Sequence, residues 1–444
     1  MSICSLTKIR SRWLAVLGLT VAVLFGGGLV AYFLTAWPMI ATDAAFFQHV
    51  GWYIIEGGVP YVDVWDVNPP IPFAITAVLA LLSGGDMLVL HGLSVLLTEL
   101  VAAASVLLVG WVAYRVTEDD AAAVSAGLTM FVVPELFALP LLGVRAQFYS
   151  LFFGVLALAL ALSDRPFLAG VAAALSAGSW QSGTAFAPLV VGIAYQRNGG
   201  KDALSAIAGA AVVTGAVVLA FALAGALVPM VVQTVVAPLV AGSSYTLAQR
   251  IYLILIVFGY GAVLLPVALY GWARAARDFR THWWLPAGGA IFAFQVLIID
   301  MDGSTDALLW VTFVALGVAV AVKRMPSRRS DATNSRERDA RRARRYRWIA
   351  VVVVALIVVS GFGWNVGSPP PKSTLEAMEQ EADPGEPTPI TVTRDDADVP
   401  SIRTIYWEKR TPETCHYRLS WNELRWISRT DSRLDARECG GWLN

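Results

Sequence analysis

Residues 42–70 read TDAAFFQHVGWYIIEGGVPYVDVWDVNPP and lie between two strongly apolar segments. The stretch carries Asp43, Glu56, Asp63 and Asp66, with Phe46, Phe47, Trp52, Tyr53, Tyr61 and Trp65 among them. Connections longer than about 12–15 residues are uncommon unless functional or disordered. So many aromatics argue against disorder. Acids beside a bilayer are costly unless paired, solvated or at work, so each is a candidate site residue. Phe46, Phe47, Val50, Tyr53 and Ile54 share one helical face, which predicts an amphipathic helix over 43–57 lying in the interface plane. Asp43 would open that helix, where its carboxylate can be a cap or a reacting group. Asn68-Pro69-Pro70 predicts an extended lead into the next span.

The flanks set the class. The chain of 444 residues is 57% hydrophobic, with a mean hydropathy of +0.61. Apolar runs of about 20 residues are membrane-spanning helices. The formal net charge of zero hides a segregation, with charge gathered in loops and the C-terminal third. Lys8, Arg10 and Arg12 precede the apolar run from Trp13 to Phe33. A cleaved signal peptide would carry a shorter apolar region, about 7–15 residues, so this is read as an uncleaved first span. The basic flank places the N-terminus in the cytoplasm and Asp43 just outside the membrane. Arg197 and Lys201, then Arg274, Arg277 and Arg280, then the run from Lys323 to Arg347, mark later cytoplasmic loops. Spans near 203–226, 250–273, 283–299 and 307–322 fit between them, and Trp348 to Phe362 leads out again.

From Pro70 to Tyr195 the apolar runs fall near 71–83, 87–114, 121–142, 148–162 and 167–195. The last is interrupted by Ser179-Trp180-Gln181-Ser182-Gly183. It is either one long segment or two short spans meeting at the outer face. In the second case Arg145 also faces outward and one earlier segment is re-entrant. The expectation is an all-α polytopic membrane protein of about 11–13 spans. Its expected parts are a transmembrane catalytic domain over 1–323, a basic cytoplasmic loop over 324–346, a last span over 347–363, a linker over 364–400 and a small extracytoplasmic domain over 401–444. That last segment is rich in aromatics and holds Cys415 and Cys439, which outside the cell would form a disulfide.

The residue inventory limits the chemistry. No P-loop, G-x-G-x-x-G, H-E-x-x-H or G-x-S-x-G motif occurs, and there are only four histidines. The Arg-rich run lacks interleaved aromatics, so it is read as a topology signal in contact with anionic lipid, and no nucleic-acid partner is expected. Asp300, Asp302 and Asp306 form an outer loop that would suit a divalent cation or a solvated turn. No other cofactor is called for. At an outer membrane surface, where nucleotide sugars are scarce, an activated sugar must arrive on a lipid phosphate. Transfer then needs a carboxylate to deprotonate the acceptor hydroxyl, and donors or cations beside the departing phosphate. Asp43 is the candidate base. Arg145 and Arg250 are candidate phosphate partners or, alternatively, interfacial anchors.

The order of these pieces resembles the GT-C membrane glycosyltransferases. Asp43 follows the first span. Then come Gly57-Gly58-Val59-Pro60-Tyr61-Val62-Asp63, Trp65-Asp66 and Pro69-Pro70, and later Gly170 to Ser182. The resemblance covers about residues 13–200. Two positions depart from the pattern: Asn68 stands where many relatives have lysine, and Trp180-Gln181 where many have Thr-Lys. The overall impression is of archaeal dolichol-phosphate-mannose mannosyltransferases. The resemblance implies a GT-C-like bundle, a polyprenyl- or dolichyl-phosphate sugar donor, a glycan, lipid-linked or protein acceptor, inversion at the sugar carbon and Asp43 as base. It makes Tyr61, Asp63, Trp65, Asp66, Asn68, Arg145, Gln181 and Arg250 candidate substrate-binding residues. A transporter or flippase for a lipid-linked saccharide, and a non-catalytic membrane scaffold, are the competing readings.

Overall fold

The computed structural model describes residues 12–64, 66–241, 246–299, 301, 303–323, 336–365, 389–390, 402–409 and 411–412. Trp65, Tyr245, Asp300, Asp302, Cys415 and Cys439 lie outside the described residues, so the expected disulfide and two acids of the outer loop do too. The chain is an all-α polytopic membrane protein. Its helices are α1 (Arg12–Thr35), α2 (Thr42–Ile55), α3 (Ile71–Leu82), α4 (Met87–Thr117), α5 (Asp120–Val132) and α6 (Glu135–Leu142). There follow α7 (Ala146–Leu162), α8 (Pro166–Ser179), α9 (Phe186–Asn198), α10 (Gly200–Leu223) and α11 (Leu227–Leu239). The last are α12 (Leu247–His282), α13 (Trp284–Ile299), α14 (Ser304–Lys323), α15 (Arg336–Asn365) and α16 (Ile402–Trp407). Among the described residues, five helices are long and apolar enough to cross a membrane by themselves, namely α1, α4, α10, α12 and α14. The pair α5–α6, bent by 84°, raises the number to six if it is one span.

Polar contacts sort the helix termini into two ends. At one, the backbone N–H of Trp13 approaches an Asp120 carboxylate oxygen at 3.4 Å, and Arg347 pairs with Asp119 at 2.5 Å. The same end holds the Arg197–Asp164 pair at 2.6 Å and the Trp283–Gln196 hydrogen bond at 2.7 Å. The hydrogen bond from Arg197, aided by the more distant Arg115, holds the exposed Asp164 carboxyl below its ordinary range. At the other end sit Asp43, Arg145, Gln181, Gln233, Arg250 and Asp306. The short helices α8 and α9 meet there through a 3₁₀ turn, Gln181–Ala185. The run 167–195 is therefore two segments, and Arg145 lies at the Asp43 end.

The segment that does not cross is α3. The end of α1 and the start of α4 already touch: Tyr32 lies 2.9 Å from His91 Nε2, and Trp37 stacks on His91. Everything between them leaves one end of the bundle and returns to it. Thus α3, expected as a span if every apolar run crosses, is instead the re-entrant segment that goes with a divided 167–195 run. It packs against α2, with Phe73 5.5 Å from Phe47 and 6.0 Å from Phe46 between ring centres. The expected amphipathic character of α2 is also overturned. Every residue from Ala44 to Trp52 is buried, Gln48 and His49 included. The cover comes from α3 on one side and α16 on another, where Tyr406 and Trp407 pack with Ile40, Ala44, Trp52 and Leu79. The Tyr406 hydroxyl donates to the Met87 carbonyl at 2.5 Å.

Among the described residues, the helices running between the two ends are α1, α4, α5, α7 to α10 and α12 to α15. Apolar on all sides, α14 is buried along its length at the centre. In contrast, α10 turns Leu204, Ile207, Val212 and Leu219 outward, as a lipid-facing helix does. Without a hydrophobic drive between spans, close approach is secured by small residues. A Cβ at Gly170 would collide with the Ala206 carbonyl on α10, and one at Gly271 with the Gly317 carbonyl on α14.

Candidate active site

The site begins with Asp43 in the first turn of α2. The N-cap is Ala41, with no side-chain cap, so the capping reading of Asp43 does not hold. Its carboxylate instead accepts from the Arg145 guanidinium at 2.5 Å. Arg145 stands just before α7, and the two side chains keep 25% and 22% of their exposure, so the pair is reachable from solvent. The chain is drawn together at this point by the Ala41 N–H, which donates to the Leu142 carbonyl at 3.2 Å. Gly143 follows at φ +104, a conformation open to glycine, and it passes so close to Gln48 and Ala44 that a side chain would not fit.

The acidic loop after α2 is folded tightly on itself. Asp63 accepts from the Val59 N–H at 2.6 Å and so closes its own turn. Tyr61 is buried and adopts a left-handed φ of 67°. Non-glycine residues hold such a conformation only where their surroundings over-determine it. Here the Tyr61 N–H donates to the Val64 carbonyl at 2.7 Å, and its hydroxyl donates to the Asn68 carbonyl at 2.7 Å. Burial, reinforced by Asp66, pushes that hydroxyl well above its ordinary pKa. Asn68 donates to both oxygens of Asp66, at 2.9 and 2.8 Å. Tyr61, Asp63, Asp66 and Asn68 thus form one preorganised unit.

Two glutamines from distant helices hold this unit in place. Gln233 is fully buried; it donates to the Tyr61 carbonyl at 2.8 Å and accepts from the Asp66 N–H at 2.9 Å. It sits in a π-helical turn, Val232–Val236, within α11, and such turns recur at functional sites. Gln181 donates to the Val67 carbonyl at 2.5 Å and reaches the Thr234 carbonyl at 3.3 Å. Its amide therefore ties the loop, the α8–α9 joint and α11 together. Sequence reasoning placed Gln181 at the site but missed the work of Gln233, whose only signal was a lone amide inside an apolar run.

The third strand of the site runs through α7, α12 and α14. Arg250 is buried in the first turn of α12 and donates to the Ile299 carbonyl at 3.2 Å. Gln147, two residues after Arg145, donates to Asp306 at 3.2 Å, and Asp306 also accepts from the Gly303 N–H at 2.8 Å. Asp306 thereby caps its own helix. Arg145 and Arg250 occupy the same end of the bundle, on different walls. Among the described residues there is no cluster of three metal-ligating side chains.

Comparison with known proteins follows this geometry. Residues 57–223 match the family described as DolP-mannose mannosyltransferase. Over 434 residues the chain is 29% identical to a dolichol phosphate-mannose mannosyltransferase of Haloferax volcanii, covering 91% of this chain and 92% of that protein. ArnT from Cupriavidus metallidurans, solved with undecaprenyl phosphate, is similar in fold, with a TM-score of 0.58 at 12% identity over 96% of this chain and 89% of that one. An Archaeoglobus fulgidus oligosaccharyltransferase, solved with a tethered acceptor peptide, aligns with a TM-score of 0.53 at 12% identity over 91% of this chain and 64% of its own.

Proposed function

We propose that the chain is a GT-C membrane glycosyltransferase that moves a mannosyl group from a dolichyl- or polyprenyl-phosphate donor to a glycan acceptor at the Asp43 end of the bundle. The observation that carries this reading is the Asp43–Arg145 pair, solvent-reachable and at the same end of the bundle as Arg250. The sugar and the lipid come from the named Haloferax relative and the matched family. Undecaprenyl phosphate in the similarly folded ArnT supports a lipid-phosphate donor.

In this reading Asp43 accepts the proton of the acceptor hydroxyl. The freed oxygen forms its bond to the sugar C1 as the bond from C1 to the phosphate oxygen breaks, and the electron pair leaves with the lipid phosphate. Attack from the face opposite the phosphate inverts the configuration at C1. Arg145 holds the Asp43 carboxylate aimed before the acceptor arrives. Arg250 is the cation for the departing phosphate, since a guanidinium matches phosphate geometry. Asp66 and Asn68, already locked together, would line the sugar side rather than move protons. The Asp43 end faces the extracytoplasmic side, because Arg12, Arg115, Arg165, Arg197, Lys201, Arg274, Arg277, Arg280 and Lys323 all gather at the opposite end.

The test is transfer of mannose from a polyprenyl-phosphate mannose probe by purified Asp43→Asn protein. Asparagine is nearly isosteric and cannot accept a proton, so turnover is expected to fall by roughly 10²–10⁴-fold while expression and thermal stability stay near those of the parent. Near-normal release of polyprenyl phosphate from this variant removes Asp43 as the base.

A further inference from the structure

Far from Asp43, helices α12, α14 and α15 bound a groove of about 550 Å³. That volume lies within the ~300–1,000 Å³ typical of small-ligand sites. Its walls include Val267, Val318, Val322, Tyr346, Ala350 and Val353. Tyr346 and Val353 remain 48% and 47% exposed, so the groove opens sideways toward the bilayer. Apart from Tyr346 the wall is aliphatic carbon, which suits a hydrocarbon tail.

Each helix that walls the groove carries a cation toward the Asp119 end. Val322 of α14 is followed directly by Lys323. Arg342, which is exposed, precedes Tyr346 by one turn of α15. Arg274 lies two turns beyond Val267 on α12, its Nε 3.0 Å from the Tyr270 hydroxyl and its guanidinium 5.3 Å above that ring. Among the described residues, the acids of this end lie away from the groove. Asp119 holds Arg347 at 2.5 Å, Asp164 holds Arg197 at 2.6 Å, and Asp278 faces His282 at 3.2 Å. Glu118 and Asp120 lie with Asp119 beside Arg344, Arg347 and Trp348, which occupy another side of α15 from Tyr346, Ala350 and Val353.

We propose that this groove holds one anionic phospholipid of the bilayer, a tail between α12, α14 and α15 and the phosphate against Lys323 and Arg342. Basic residues at a membrane surface attract anionic headgroups. Here they stand at the mouth of an apolar slot, which adds a place for the tail. The site is independent of the chemistry proposed for Asp43.

Native mass spectrometry of the purified full chain, offered dioleoyl-phosphatidylglycerol or dioleoyl-phosphatidylcholine, tests it. The parent protein is expected to retain the anionic probe at least about fivefold better, roughly the effect of one basic residue near the surface. The double variant Lys323→Gln, Arg342→Gln is expected to bring the two probes to parity. Val353→Trp, at a half-exposed wall position, is expected to lower retention of both. Equal retention of the two probes by the parent overturns the proposal. So does an unchanged preference in the double variant, or unchanged retention in Val353→Trp.

Discussion

Gln233 is the residue on which the acidic loop most depends. Its amide serves two backbone groups at once, the Tyr61 carbonyl and the Asp66 N–H, and it is fully buried. Leucine would fill the same space and leave both groups unpaired, at about 1–3 kcal/mol each. Gln233→Leu is therefore expected to lower the melting temperature of the detergent-purified protein and to reduce transfer further than the stability loss explains, because Asp66 moves. A melting temperature equal to that of the parent would show that the clamp is dispensable. Arg145 makes a second case. Arg145→Ala is expected to cut transfer at least about tenfold by freeing the Asp43 carboxylate to swing away, and Arg145→Lys to restore part of it; equal loss in both variants would contradict a role for simple charge. The residues of the 42–70 stretch were legible because their types are unusual beside a bilayer. Gln233 was not, since its partners lie 172 and 167 residues away in sequence and pairing at that range leaves no local pattern. Asp43 was legible as a candidate site residue with a cap as the alternative, and the choice between them was not legible, because nothing in the sequence says that Arg145 will stand opposite it.

Among the helices, contacts between distant termini decided what sequence patterning could not. Periodicity identified α3 as an apolar helix, and apolar character alone made it a span. The contact between Tyr32 and His91 shows that it turns back. Similarly α2 was legible as a helix with Phe46, Phe47 and Val50 inward. It was expected to lie in the interface plane, whereas α3 and α16 cover it and Gln48 faces His91 of α4, and α16 comes from beyond residue 400. The small-residue contact between α8 and α10 yields a prediction of its own. Gly170 lies against the Ala206 backbone, so Gly170→Leu must separate the helices. Overpacking of this kind costs about 1–3 kcal/mol or more. Gly215 is on α10 as well, with open space around it, so Gly215→Leu is the control. A lower melting temperature is expected for Gly170→Leu and little change for Gly215→Leu. If the two variants melt alike, the backbone contact is not what joins α8 to α10.

For the molecule as a whole, the distribution of charge predicts which way round it sits. The two ends of the bundle differ in kind. One gathers the acidic loop, Arg145, Arg250 and the docked α16, while the other gathers arginines at nearly every helix junction. Basic residues near span ends are retained on the cytoplasmic side, so the charge pattern predicts the Asp43 end, and with it the proposed acceptor, outside. The prediction uses positions exposed at each end, Val62 in the acidic loop at 48% and Phe279 near the end of α12 at 63%. In a background where Cys4, Cys415 and Cys439 are serine, Val62→Cys is expected to react with a membrane-impermeant maleimide in intact cells. Phe279→Cys should react only after lysis. The reverse pattern would put Asp43 in the cytoplasm, where nucleotide-linked sugars are available. The argument for a lipid-phosphate donor would then lose its physical basis, and only the likeness to mannosyltransferases would support it. The outcome bears on the groove as well, because anionic phospholipids concentrate in the cytoplasmic leaflet and Lys323 and Arg342 must face that leaflet to hold one.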